Sequence, residues 1–182
     1  MIARTILFLY LVASCASSET PTPMAPPSMQ TPQSAAAAGF TQVMESTAMA
    51  GHKLARDQRP IAMVFFASWC GHCRRELTEL GELRKRYPTL RIIGLNAYED
   101  FRDYSDSQRL RSYIAENAPW MTEIVSADEA LRATFGKIPK IPTLFLYSST
   151  GEVIAEYRRD KRPPPSAQEL EQAITAAINS SE

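Results

Sequence analysis

The chain has 182 residues, enough for one compact domain with a tail but thin for two. Its 20 basic and 20 acidic residues cancel, so no global field draws it to a phosphate backbone, and nucleic acid is not an expected partner. Hydrophobic residues make up 45%, which supports an ordinary core and argues against a fibrous or wholly disordered chain.

The opening MIARTILFLYLVASC places Arg4 before an apolar run, Ile6 to Val12, and then small residues. This is the anatomy of a signal peptide, expected over residues 1–14, and the run is too short to span a bilayer as a stable helix. Val12-Ala13-Ser14-Cys15 resembles the lipobox of bacterial lipoproteins, in which cleavage leaves the cysteine as a lipidated first residue. That resemblance makes Cys15 a membrane anchor on the side away from the cytoplasm, with Ala16 after it favouring the outer membrane. The alternative is cleavage after Ala16, which would release a soluble secreted or periplasmic protein without Cys15. Residues 15–39 follow, rich in Pro, Ser, Thr and Ala with scarcely any charge. Such a segment buries too little apolar surface to offset its ordering entropy and reads as a semi-extended tether.

The domain is expected over residues 40–182. Phe40, Val43, Met44, Thr47, Ala48 and Gly51 recur at helical spacing, predicting an amphipathic helix that runs toward a turn at Asp57 to Pro60. Ile61 to Phe66 is continuously apolar and reads as a buried strand. After it come Cys70 and Cys73, two residues apart. Leu77, Leu80, Leu83 and Tyr87 then form one helical stripe until Pro88, and Arg91 to Leu95 reads as a second buried strand. Strand, helix, strand with short joints is a right-handed βαβ unit, which puts the strands parallel and the cysteines at the helix N-terminus. Asp106 to Asn117 is a further expected helix, with a shorter one from Ala127 to Phe135. Thr143 to Tyr147 and Glu152 to Tyr157 form a hairpin around Ser148 to Gly151. Ser166 and Glu169 form a capping box before a final helix marked by Leu170, Ala173, Ile174, Ala177 and Ile178.

The order βαβ, helical segment, ββα, with Trp69-Cys70-Gly71-His72-Cys73 after the first strand and Ile141-Pro142-Thr143 before the hairpin, resembles the thioredoxin fold. Its α/β class, with a mixed sheet flanked by helices, an N-terminal helix and a central helical insertion, is what the resemblance implies. ASWCGHCRRELTEL, a strand ending in Asn96, the insertion and IPTLFLYSSTGEVI are similar to the TlpA and ResA type of membrane-anchored extracytoplasmic thiol-disulfide oxidoreductases. The resemblance implies protein substrates bearing thiols or disulfides, a membrane redox partner and a monomeric chain. It implies no cofactor beyond the Cys70–Cys73 pair itself, and no metal.

A thiolate is the attacking species in disulfide exchange, and a helix N-terminus favours it over the thiol. Cys70, at the first turn, is the expected nucleophile and Cys73 the resolving thiol. Glu76 lies one turn beyond Cys73, where a carboxylate can accept the resolving thiol's proton, and it matches a glutamate of the TlpA and ResA type; the plainer reading is a solvated helix residue. Pro142 is the expected cis-proline facing the cysteines, with Ile141 pairing the substrate backbone. Trp69, Gly71, His72 and Thr143 complete the expected substrate-binding set, with Trp69 as a surface platform over the nucleophile and core packing as its plainer alternative. His72 stands where this type usually carries proline, as in protein disulfide isomerases, which points to a more oxidising couple; the anchor, the insertion and Glu76 point to a reductase. An oxidase or isomerase and a copper-handling thioredoxin-fold protein are the alternatives, two thiolates being suited to Cu(I).

Overall fold

A computed structural model describes residues 32–99 and 107–180; residues 1–31, with Cys15 and the expected signal segment, lie outside them. The frame is a five-stranded sheet ordered β3-β2-β1-β4-β5, from β1 (Ile61–Phe66), β2 (Arg91–Asn96), β3 (Ile124–Ser126), β4 (Thr143–Tyr147) and β5 (Val153–Arg158). β1 runs parallel to β2, and β2 parallel to β3, while β4 is antiparallel to both β1 and β5. The helices are α1 (Pro32–Glu45), α2 (Gly71–Arg86), α3 (Ser107–Asn117), α4 (Glu129–Thr134) and α5 (Ala167–Asn179).

β1 is apolar throughout because both its faces are covered, and successive side chains point to opposite faces. Phe65 meets Phe135 edge-on, with ring centroids 4.9 Å apart, and lies near Phe145. Phe66 faces the other way and stacks on Tyr113 of α3. The parallel β1–β2 pair joined by α2 is the crossover unit expected from the sequence, and it delivers the start of α2 to the C-terminal end of β1. The capping box before α5 is formed as expected: Ser166 Oγ accepts from Glu169 N, and the Glu169 carboxylate accepts from Ser166 N.

The N-terminal boundary differs from the expectation. α1 begins at Pro32, inside the segment read as tether, and ends at Glu45, well short of the turn before β1. Ala35 and Ala36 are buried, the Tyr147 hydroxyl donates to the Ala36 carbonyl, and α1 packs against α4. Gly39 permits that packing, since a Cβ there would stand 2.5 Å from the Phe135 ring. Alanine is a strong helix former, and tertiary contact supplies the stability that the low-complexity composition conceals. Thr47 and Ala48, expected to continue the helix, belong instead to a tight loop closed by a Thr47–Lys53 bridge, with Gly51 at φ +87°. β3 is an edge strand of three residues, too short to carry a readable alternation.

Candidate active site

Cys70 caps α2. Its backbone is extended, and its Sγ accepts a hydrogen bond from Cys73 N at 3.2 Å. The two cysteines are joined in a disulfide, with Cα atoms 5.3 Å apart. Cys70 is 5% exposed and Cys73 fully buried, so a partner can reach only the first sulfur. When the pair is reduced, the same N–H and the positive end of the helix favour a thiolate at Cys70. Gly71 is exposed, with open space where a Cβ would stand, which keeps the approach to Cys70 clear. His72 is exposed too, its Nδ1 lying 3.4 Å from Arg75 Nη2.

The loop before β4 faces the cysteines. The Ile141–Pro142 peptide bond is cis, and the Ile141 carbonyl oxygen lies 4.0 Å from Cys70 Sγ. Thr143 sits behind this loop: it is buried, and its hydroxyl donates to the Lys140 carbonyl, so its side chain shapes the turn from within. Between loop and helix runs an open groove of about 460 Å³ that exposes Cys70, with Trp69, Tyr98, Pro139 and Ile141 as its apolar walls. Trp69 is half-buried, and its indole N–H donates to the Tyr98 carbonyl at 2.7 Å, which fixes it as a wall rather than a core side chain.

Tyr98 and Glu99 fall in the stretch Tyr98 to Tyr104, which the family resemblance puts in or beside the partner-recognition insertion, but nothing in the sequence sets them against Trp69 and Ser68. Tyr98 takes φ +60°, unusual for a bulky residue. Its hydroxyl donates to the Ile138 carbonyl, and the Arg132 guanidinium lies over its ring. It therefore ties the Trp69 wall to the loop that carries Ile141 and Pro142. The Glu99 carboxylate accepts from Ser68 N, Ser68 Oγ and Asn96 Nδ2 at 2.6–2.7 Å and so fixes the turn that leads into Cys70.

Glu76 is not a solvated helix residue. It is 5% exposed, on the same buried stripe of α2 as Cys73 and Leu77. Its Oε1 has no hydrogen-bond partner among the described residues. The carboxyl borders a pocket of about 10 Å³, the space of one water molecule, shared with Pro142, Leu144 and Tyr157. Burial, assisted by the nearby Glu79 charge, pushes its pKa up to about 7, against the weaker opposing pull of Arg75 and Arg159. A carboxyl so placed exchanges a proton near neutrality, one helical turn from Cys73.

No family model matches the chain. A thioredoxin of Aspergillus fumigatus, Asp f 28, is 38% identical over 45 residues, which span 25% of this chain and 42% of that protein. Among solved structures, a secreted Mycobacterium tuberculosis disulfide oxidoreductase homologous to Escherichia coli DsbE matches with TM-score 0.58 and 17% identity, over 74% of this chain and 98% of that one. A thiol:disulfide interchange protein of the thioredoxin family from Chlorobium tepidum matches with TM-score 0.59 and 18% identity, over 72% of this chain and 90% of that one. The structure called MTB DsbF gives TM-score 0.59 and 19% identity over 74% and 96%. The fold is therefore thioredoxin-like.

Proposed function

We propose that this chain is a thiol-disulfide oxidoreductase that exchanges the Cys70–Cys73 pair with cysteines of protein substrates, working chiefly as a reductase outside the cytoplasm. The observation that carries the reading is the asymmetry of the pair: Cys70 opens to the groove across from the cis-proline loop, while Cys73 is sealed on the helix face that also bears Glu76. The short thioredoxin match, and neighbours described as disulfide oxidoreductase and thiol:disulfide interchange protein, support the same chemistry.

In the reducing direction, the Cys70 thiolate attacks one sulfur of a substrate disulfide. A Cys70–substrate bond forms, the substrate S–S bond breaks, and the departing thiolate takes a proton. Cys73, its proton accepted by Glu76 directly or through a water in the adjoining pocket, then attacks Cys70 Sγ. The internal disulfide forms, the second substrate cysteine leaves as a thiol, and two electrons have passed from chain to substrate. An external dithiol at the membrane restores the reduced pair. The apolar walls and the Ile141 carbonyl would hold an extended substrate segment while its cysteine docks.

The sequence similarity to the TlpA and ResA type supports the reducing direction, and the lipobox-like Val12 to Cys15 supports attachment through Cys15. Among the described residues no helix is long and apolar enough to cross a membrane. Equilibration with glutathione buffers and trapping of free thiols tests the reading. A potential near or below about −270 mV is expected; one near about −180 mV or above would make the chain an oxidase or isomerase instead. A pair that does not cycle would remove the oxidoreductase reading.

A further inference from the structure

The charge around the groove is not that of the chain as a whole. The protein is neutral overall, and many of its cations are paired: Arg86 with Glu171, Lys85 with Glu82, Arg162 with Glu169, Arg91 with Glu123. The groove at Cys70 departs from this pattern. His72, Lys140 and Arg159 line it, and among the described residues no carboxylate does. Arg74 and Arg75 stand exposed on the first turn of α2 beside it. None of these four lysine and arginine side chains has a carboxylate within 4 Å among the described residues. Of the acids nearby, Glu99 accepts three hydrogen bonds from Ser68 and Asn96, Glu76 is buried behind Pro142, and Asp160 follows Arg159 in the chain without lining the groove.

Cations with no salt-bridge partner among the described residues, in and beside a partly apolar groove, form a field that a matching ligand would complete. Resting on the oxidoreductase reading above, we infer that the groove selects protein substrates whose reacting cysteine is flanked by acidic residues, with Lys140 and Arg159 as specificity-determining side chains. Trp69 and Ile141 would meet the substrate's chain without regard to its charge, and the two cations would discriminate its sign. An acidic flank would gain in both encounter and residence, and a basic flank would be repelled from the same positions.

The test uses the reduced full chain and three oxidants: a disulfide-bonded peptide with glutamates beside its cysteines, the same peptide with lysines there, and small, neutral hydroxyethyl disulfide. Each rate constant is divided by that of dithiothreitol with the same oxidant, which removes intrinsic reactivity. We expect the normalised glutamate-to-lysine ratio to be at least about tenfold at 20 mM salt and to shrink several-fold at 500 mM, as screening by salt requires. Lys140→Gln combined with Arg159→Gln should bring it to within about twofold of one. A ratio near one at low salt, or one indifferent to salt and to the double substitution, overturns the inference while leaving the oxidoreductase reading intact if hydroxyethyl disulfide is still reduced. Failure to reduce hydroxyethyl disulfide overturns both. The salt series needs no variant, so a double variant that does not fold leaves the inference open to refutation.

Discussion

Two buried charges lie at different places in this fold and are treated in opposite ways. Arg91, at the start of β2, is 3% exposed and fully satisfied: Nε and Nη2 donate to the two Glu123 oxygens at 2.6 and 2.5 Å, Nη1 donates to the Ala55 carbonyl, and Asp57 stands 3.5 Å away. Glu76, on α2, is nearly as deeply buried, yet Oε1 has no hydrogen-bond partner among the described residues. A structural charge must be compensated or it costs several kcal/mol, so an uncompensated carboxyl beside a reactive pair is the one whose cost has another use. The contrast teaches that burial alone does not single out a candidate; burial without full satisfaction, one helical turn from the cysteine pair, does.

Removing Arg91 should show the larger effect. Arg91→Met strands Glu123, while Asp57 keeps Arg59 as a partner, and should lower unfolding stability by about 3 kcal/mol, read from urea or guanidinium titration. The Cys70–Cys73 potential should stay unchanged in whatever fraction remains folded. A shift in potential larger than the loss of stability would break the division between structural and chemical charge.

Glu76→Gln should do the reverse. With its pKa raised to about 7 in the folded chain, Glu76 binds a proton that the unfolded chain has already released. Its contribution is therefore full below the unfolded value, near 4.5, and is lost as pH rises through about 7. Glutamine cannot ionise. Relative to the native chain the variant should gain up to about 3 kcal/mol between pH 4 and pH 9, while mixed disulfides resolve about tenfold or more slowly near neutral pH. Equal stability offsets at both pH values would mean that the carboxyl is not displaced from its ordinary range.

The smallest effect belongs to the N-terminus of α5. Ser166→Ala removes the side-chain half of the capping box on α5 and should cost about 1 kcal/mol in thermal or chemical unfolding. It should leave the rate with hydroxyethyl disulfide unchanged, and a change in that rate would show that α5 is coupled to the groove.

Much of this was legible in the chain. β1 announces itself because a strand covered on both faces must be apolar at every position, and α2 because its leucines keep one stripe. The cysteines are legible because their spacing places them at a helix start, and the capping box because its bonds are local. What escaped was set by distant partners. α1 was mistaken for tether over residues 32–39 because the alanines look featureless until Phe135 and Tyr147 close on them. β3 gains its identity only from pairing with β2. Tyr98 and Glu99 became part of the site through hydrogen bonds to Trp69, Ser68 and Ile138, up to 40 positions away in sequence.

The sequence by itself determined the cysteine pair and the strand, helix and strand around it, because these depend on residue type and short spacing; Pro142 was legible only through the family resemblance. Tertiary structure alone decided that Glu76 is buried with one carboxyl oxygen unpartnered among the described residues, that Thr143 is buried, and that Lys140 and Arg159 line one groove with Trp69. Solvent exclusion and electrostatic fields depend on what the folded chain brings alongside a residue, and that neighbourhood is written nowhere in the residue's own stretch of sequence.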